Sequence, residues 1–303
     1  MERQIRVLKP MLNFFAGRVI DNLVVVQLTG AVDARINELI TQGGTPVVYA
    51  NHQGHPDGIA LAQVSSYLQG RYNLPGLAAI LASSMSSGQQ GAQLKAVYDL
   101  LVEAGRKRGL EPIPFTRRKD EERYGMDRQT ARELRPLGEK IREGYGLALL
   151  PEGSIQGGRH PEGMGIEDIY GMQKVNGGGL ITFFELANRW SQAGKTFFLP
   201  VALEGSFRIM QSLEGEVAGE TGEPKLTRRG KWSLFLAALG IPFGRLKIKA
   251  TLLTPFTEKE IRGDLGDDWR RDDEGFNAYA MRKLLSALPH AAWGDYRLID
   301  DVT

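Results

Sequence analysis

The sequence predicts an α/β fold: a mixed, largely parallel sheet flanked by helices, with helical appendages at both ends. Three observations carry this. Short runs rich in Val, Ile, Leu and Phe alternate with longer stretches of helical periodicity. Such alternation is the pattern of βα units, whose crossovers make neighbouring strands parallel. Glycine and polar residues also gather just after the apolar runs, where open α/β sheets hold their ligands.

The elements follow in order. In residues 1–23, Leu8, Met11, Leu12, Phe14, Phe15, Val19 and Ile20 stand beside Arg3, Arg6, Lys9 and Arg18. This reads as an N-terminal amphipathic helical segment, and a core-packing helix fits it equally. Strands are expected at 24–28, 47–50, 77–81, 147–150, 197–203 and 246–253. Helices are expected at 58–68, 94–107, 128–142 and 180–191. The α/β domain therefore spans 24–256. From 257 to 303 the character changes. Asp267, Asp268, Asp272, Asp273 and Glu274 cluster, and an amphipathic stretch runs over 276–288. This reads as a C-terminal helical appendage. Glycine-rich loops punctuate the middle, and no repeat of 20–50 residues is visible.

Composition narrows the function classes. With 303 residues and 42% apolar content, a sizeable core forms and global disorder is excluded. The 38 Lys and Arg against 36 Asp and Glu give too little net charge for a general nucleic-acid binder, and none is expected as a partner. The chain has no Cys. That excludes disulfides, thiolate zinc sites, iron–sulfur clusters and a cysteine nucleophile.

A membrane-spanning helix needs about 20 mostly apolar residues. The stretch 11–28 is broken by Asn13, Arg18, Asp21 and Asn22, and the run 232–243 is too short. Neither a span nor a signal peptide is expected. Lys225, Arg228, Arg229, Lys231, Arg245, Lys247 and Lys249 nevertheless bracket that second run without a single acid. Trp232 and Phe235, flanked by Arg228, Arg229 and Lys231, suit the lipid headgroup boundary. Each cation near an anionic surface adds about 1 kcal/mol. A buried helix followed by an edge strand with solvated lysines fits the same pattern. The expected location is cytoplasmic, peripherally associated with the inner face of the membrane.

The reactive groups sit after the strand at 47–50, in Asn51-His-Gln-Gly-His-Pro-Asp57. His52 and Asp57 are five apart, roughly 140° around a single helix, too far for contact. Across a strand-to-helix turn the chain can bring them together. Asp57 then either caps the helix or holds the His52 imidazole in one tautomer, as the acid of a catalytic triad does. A histidine held so can remove a proton from a substrate hydroxyl. With no Cys and no Gly-x-Ser-x-Gly elbow, the nucleophile would be the substrate itself. His55 opens a rival reading, a metal-dependent hydrolase using His52, His55 and Asp57. Further histidine ligands could then come only from His160 and His290.

Four ordered blocks resemble the glycerophospholipid acyltransferases, the group containing 1-acyl-sn-glycerol-3-phosphate acyltransferase and glycerol-3-phosphate acyltransferase. Asn51-His52 with Asp57 resembles their Asn-His-x4-Asp block. Pro114-Phe-Thr-Arg117 resembles the second, an apolar strand ending in Arg. Leu150-Pro-Glu-Gly-Ser154 resembles the third, Phe-Pro-Glu-Gly-Thr, and Phe198-Leu-Pro-Val201 the fourth. Lys174 followed by 177–179 fits the Lys-x-Gly region between the last two. Departures are Gly54 in place of a frequent Ser, the absence of Lys and Glu from 81–90, and Ser154 for Thr.

The resemblance implies transfer of a fatty acyl group from a thioester to a hydroxyl of a phosphorylated glycerol or lysolipid, lysophosphatidic acid to phosphatidic acid first among them. Glycerol 3-phosphate or another lipid acceptor is the alternative within the class. It implies His52 as general base and Asp57 as its orienting partner. Arg117, Arg118 and Lys174 would bind phosphate. Glu152 and Gly153 would shape the acceptor pocket, with Ser154 keeping the hydroxyl. Pro200 would shape the strand and the acyl path. Acyl-coenzyme A or acyl-acyl carrier protein would be co-substrate, with no metal or other cofactor, and membrane lipids and the thioester donor are the implied partners. A non-catalytic lipid-binding relative is a third class.

Overall fold

A computed structural model describes residues 17–18, 20–52, 57–82, 99, 102–115, 128–151, 175, 178–206 and 247–289. Its centre is one eight-stranded sheet. The strands are β1 (Val24–Gln27), β2 (Thr45–Ala50), β3 (Leu77–Ala82), β4 (Leu110–Phe115), β5 (Gly146–Leu149), β6 (Thr196–Glu204), β7 (Ile248–Leu252) and β8 (Phe256–Thr257). They lie in the order β1-β7-β6-β2-β5-β3-β4, with β8 also paired to β6. β2 to β6 are mutually parallel. β7 and β8 run antiparallel to β6, and β1 runs with β7. The sheet is thus mixed and mostly parallel, the α/β fold expected from the sequence.

The central strands are apolar on both faces because both faces are covered. Every residue of β2 is buried. At the β4 edge, Pro112 and Pro114 fall at alternate positions. Successive residues direct their main-chain groups to opposite sides of a strand. The prolines leave bonding to β3 with their neighbours and remove donors from the open edge, which discourages further pairing.

The helices are α1 (Gly30–Thr41), α2 (Asp57–Tyr72), α3 (Arg128–Arg142), α4 (Gly179–Trp190), α5 (Glu258–Leu265) and α6 (Asp273–Leu285), with a 3-10 turn at Asp267–Arg271. α1 is absent from the sequence expectations. Its signals are a Thr29 cap accepting from the Val32 amide at 3.3 Å and the buried spacing Val32, Ile36, Leu39. One face of the sheet packs Val48, Ala50, Leu199 and Val201 with residues of α1 and α2. Ile20 and Leu23 join this core, and Arg108 donates to the Gly17 carbonyl and to Asp21, each at 2.8 Å. The end of the N-terminal segment therefore packs on the core.

The other face packs Val47, Tyr49 and Phe198 with residues of α3, α4 and α6. Phe184 stacks on Phe198 at 4.4 Å and Phe198 on Phe256 at 5.2 Å. The Tyr49 hydroxyl donates to the Ala280 carbonyl at 2.7 Å. Helices do form after 257, yet they cover the sheet: Trp269, Phe276, Ala280, Met281 and Leu284 are buried in this core. The expected boundary at 256/257 falls inside β8. Among the described residues no helix is long and apolar enough to cross a membrane.

Candidate active site

The site is built where β2 leaves the sheet. Asn51 is completely buried. Its Nδ2 donates to the Leu203 carbonyl at 3.0 Å, and its Oδ1 accepts from the Leu203 amide at 2.7 Å. One side-chain amide therefore imitates one more rung of the β2–β6 ladder, whose last main-chain register is Ala50 with Val201. That brace fixes the next residue, His52, at the carboxyl rim of the sheet.

α2 begins at Asp57 and packs on the face beneath. Asp57 is fully buried, and the His52 side chain is 14% exposed. His52 Nδ1 lies 2.9 Å from Asp57 Oδ2. The pair meets across the strand-to-helix turn, as the sequence reading requires. The amino end of α2 adds a favourable field for the carboxylate. Chemically this is an imidazole with one nitrogen held by an acid and a partly open side toward solvent.

β2, β4, β5 and β6 all end on this rim, since they run parallel. Arg117 and Arg118 follow β4 in sequence, and Glu152, Gly153 and Ser154 follow β5. These five, together with Lys174, His55, Trp232, Phe235, Arg228, Arg229 and Lys231, lie outside the described residues. Pro200 is described. It sits in β6 opposite Tyr49, and its carbonyl accepts from the Leu253 amide at 2.9 Å. Its nitrogen faces the same side, where 253–255 leaves the sheet between β7 and β8. Pro200 and Leu253 continue the β6–β7 register, and the missing N–H leaves that pair one of its two bonds, at the point where the ladder ends.

The sequence reading missed further rim features. Because β7 is antiparallel to β6, Lys247 and Lys249, the end of the basic stretch, arrive beside the carboxyl end of β6. Lys249 Nζ pairs with Glu204 at 2.7 Å. Gly205 lies between, at φ +91°, and a Cβ there would stand 2.6 Å from the Lys247 carbonyl. The only forward signal was polar residues after β6; the pairing depends on strand direction. Among the described residues, no group of three or more His, Asp or Glu is placed to hold a metal ion. The chain matches no protein-family model and no curated protein.

Proposed function

We propose that this protein is an acyltransferase that moves a fatty acyl group from a thioester to a hydroxyl of a phosphorylated glycerol or lysolipid. One observation carries the reading: the 2.9 Å contact of His52 Nδ1 with the buried Asp57, at the rim where the parallel strands end. Asp57 engages Nδ1, so Nε2 is the nitrogen that takes the acceptor proton. The freed oxygen attacks the thioester carbonyl. Collapse of the tetrahedral adduct expels the thiolate, which recovers the proton from His52. A positioned base of this kind contributes typically 10²–10⁴-fold. The exposed Lys247 on the same rim supports a site that works against anionic headgroups. A peripheral position at the inner face of the membrane, through Trp232, Phe235 and their basic flank, belongs to the same proposal.

The test is thiol release from palmitoyl-coenzyme A in the presence of lysophosphatidic acid and liposomes. Release that depends on the acceptor, and disappears in a folded His52→Ala variant, is the expected result. Undiminished release by His52→Ala would overturn the mechanism. Acyl-acyl carrier protein and glycerol 3-phosphate are the second donor and acceptor to assay.

A further inference from the structure

β1 and β7 run against the other main strands, so the sheet has a second carboxyl rim, away from His52. A cleft of about 520 Å³ opens there, at 27–29 and 251–254, with Lys283 and Ser286 of the α6 end on its wall. A volume of this order holds a small organic ligand. Ligands of α/β sheets bind outside strand carboxyl ends, and this rim meets that rule for the β1–β7 pair.

Among the described residues the lining is donor-rich and acid-free. Lys283 lies 4.6 Å from the ring centre of Tyr279 and 5.9 Å from that of Phe256, and it has no carboxylate partner among the described residues. Thr254 brings an exposed hydroxyl and Gln27 an amide. Thr251 Oγ1 is shut off from bulk water and has no hydrogen-bond partner. Thr29 and Ser286 are already used, capping α1 and donating to the Lys283 carbonyl at 2.8 Å. The acid nearest in sequence to the lining, Asp33, is tied to Arg71 and Tyr72. Leu28, Val32, Leu252 and Leu253 give the cleft an apolar side.

We infer that this cleft is a second binding site, for a phosphate monoester carried on a small organic body. Three terminal phosphate oxygens match the cation, the Thr254 hydroxyl and the amide better than the two oxygens of a carboxylate. The apolar wall takes the carbon skeleton. The inference stands apart from the acyltransferase reading, since no residue of the His52 pair takes part.

The test is calorimetric titration of the full chain with glycerol 3-phosphate, alongside sedimentation with phosphatidylcholine vesicles with and without phosphatidic acid. Lys283→Gln is expected to weaken binding about tenfold or more, and Lys283→Arg to restore most of it. Thr254→Val, at an exposed position, is expected to weaken it severalfold without touching the aromatic packing under Lys283. Unchanged thermal midpoints establish that the variants are folded. Lys283-dependent binding of the free ester identifies a soluble ligand; Lys283-dependent binding of phosphatidic acid vesicles alone identifies a lipid headgroup. The Lys283-dependent binding is expected to survive His52→Ala, whatever that variant does to acyl transfer. Its loss in His52→Ala, equal binding by Lys283→Gln, or no binding of either probe would overturn the site.

Discussion

The side chain of Asn51 makes both of its hydrogen bonds to the main chain of a residue 152 positions away, Leu203. That exchange joins the exit of β2 to the exit of β6 and sets the direction in which His52 leaves the sheet. Asn51→Ala strands a buried N–H and a buried carbonyl, each about 1–3 kcal/mol unfavourable. We expect a loss of about 2–4 kcal/mol in denaturant unfolding with an unchanged slope. Acyl transfer should fall as well, because the base loses its support. Asn51→Asp should fail similarly, since a carboxylate cannot donate to the Leu203 carbonyl. Wild-type stability in both variants would show that the brace is not structural.

Asp57 tests the mechanism more directly. Asp57→Asn keeps the shape of the side chain, but its amide can donate to the imidazole and so favour the wrong tautomer. The expected outcome is a fall of roughly 10²–10⁴-fold in the rate of thiol release, with little change in the Michaelis constant for the acceptor. A merely structural aspartate would instead lower the thermal midpoint and leave the rate of the folded fraction intact. Measuring both on the same preparation separates the two roles.

How much of this was legible beforehand depends on how local each cause is. β2, β5 and β6 announced themselves because strands covered on both faces are apolar runs. The His52–Asp57 contact was legible because it spans one turn. Asn51 was not read as a brace, because its partner lies far along the chain. α1 was overlooked although Thr29, Val32, Ile36 and Leu39 carried its cap and its spacing. The amphipathic stretch 276–288 was legible as a helix, but not that Phe276, Met281 and Leu284 pack on the sheet, because their partners lie far along the chain. Charge in the 3-10 turn and the start of α6 describes the outer surface only; the inner face is what the core reads.

A pH prediction follows from Asp33. Hydrogen bonds from Arg71 and then Tyr72 lower its carboxyl from 3.8 to about 2. Arg71 Nε donates to Oδ1 at 3.1 Å and the Tyr72 hydroxyl at 2.6 Å. A depressed carboxyl contributes stability that is present above its unfolded value and lost as pH falls through the folded one. The thermal midpoint of wild type should therefore exceed that of Asp33→Asn at neutral pH. The gap should hold down to about pH 4 and close by about pH 2. A gap that is constant across this range would mean that the pair gives nothing to stability.

The strongest structural prediction concerns the C-terminal helices. Phe198 meets Phe184, Phe256 and Phe276, the last at 5.3 Å, and Trp269 lies 5.1 Å from Phe276. Phe276→Ala removes the ring at which α6 and the 3-10 turn meet the sheet. Such a truncation in a packed core costs about 3–5 kcal/mol, and Met281→Ala about 2–5 kcal/mol. Deleting 258–303 would uncover Tyr49, Phe184 and Phe198 together and leave the Tyr49 hydroxyl without its Ala280 acceptor. The shortened chain is expected to lose its cooperative thermal transition and to bind hydrophobic dyes. If it instead melted cooperatively near the wild-type midpoint, the α/β sheet would be self-sufficient and these helices an appendage after all. The buried rings predict the opposite: β2, β6 and α6 unfold as one unit.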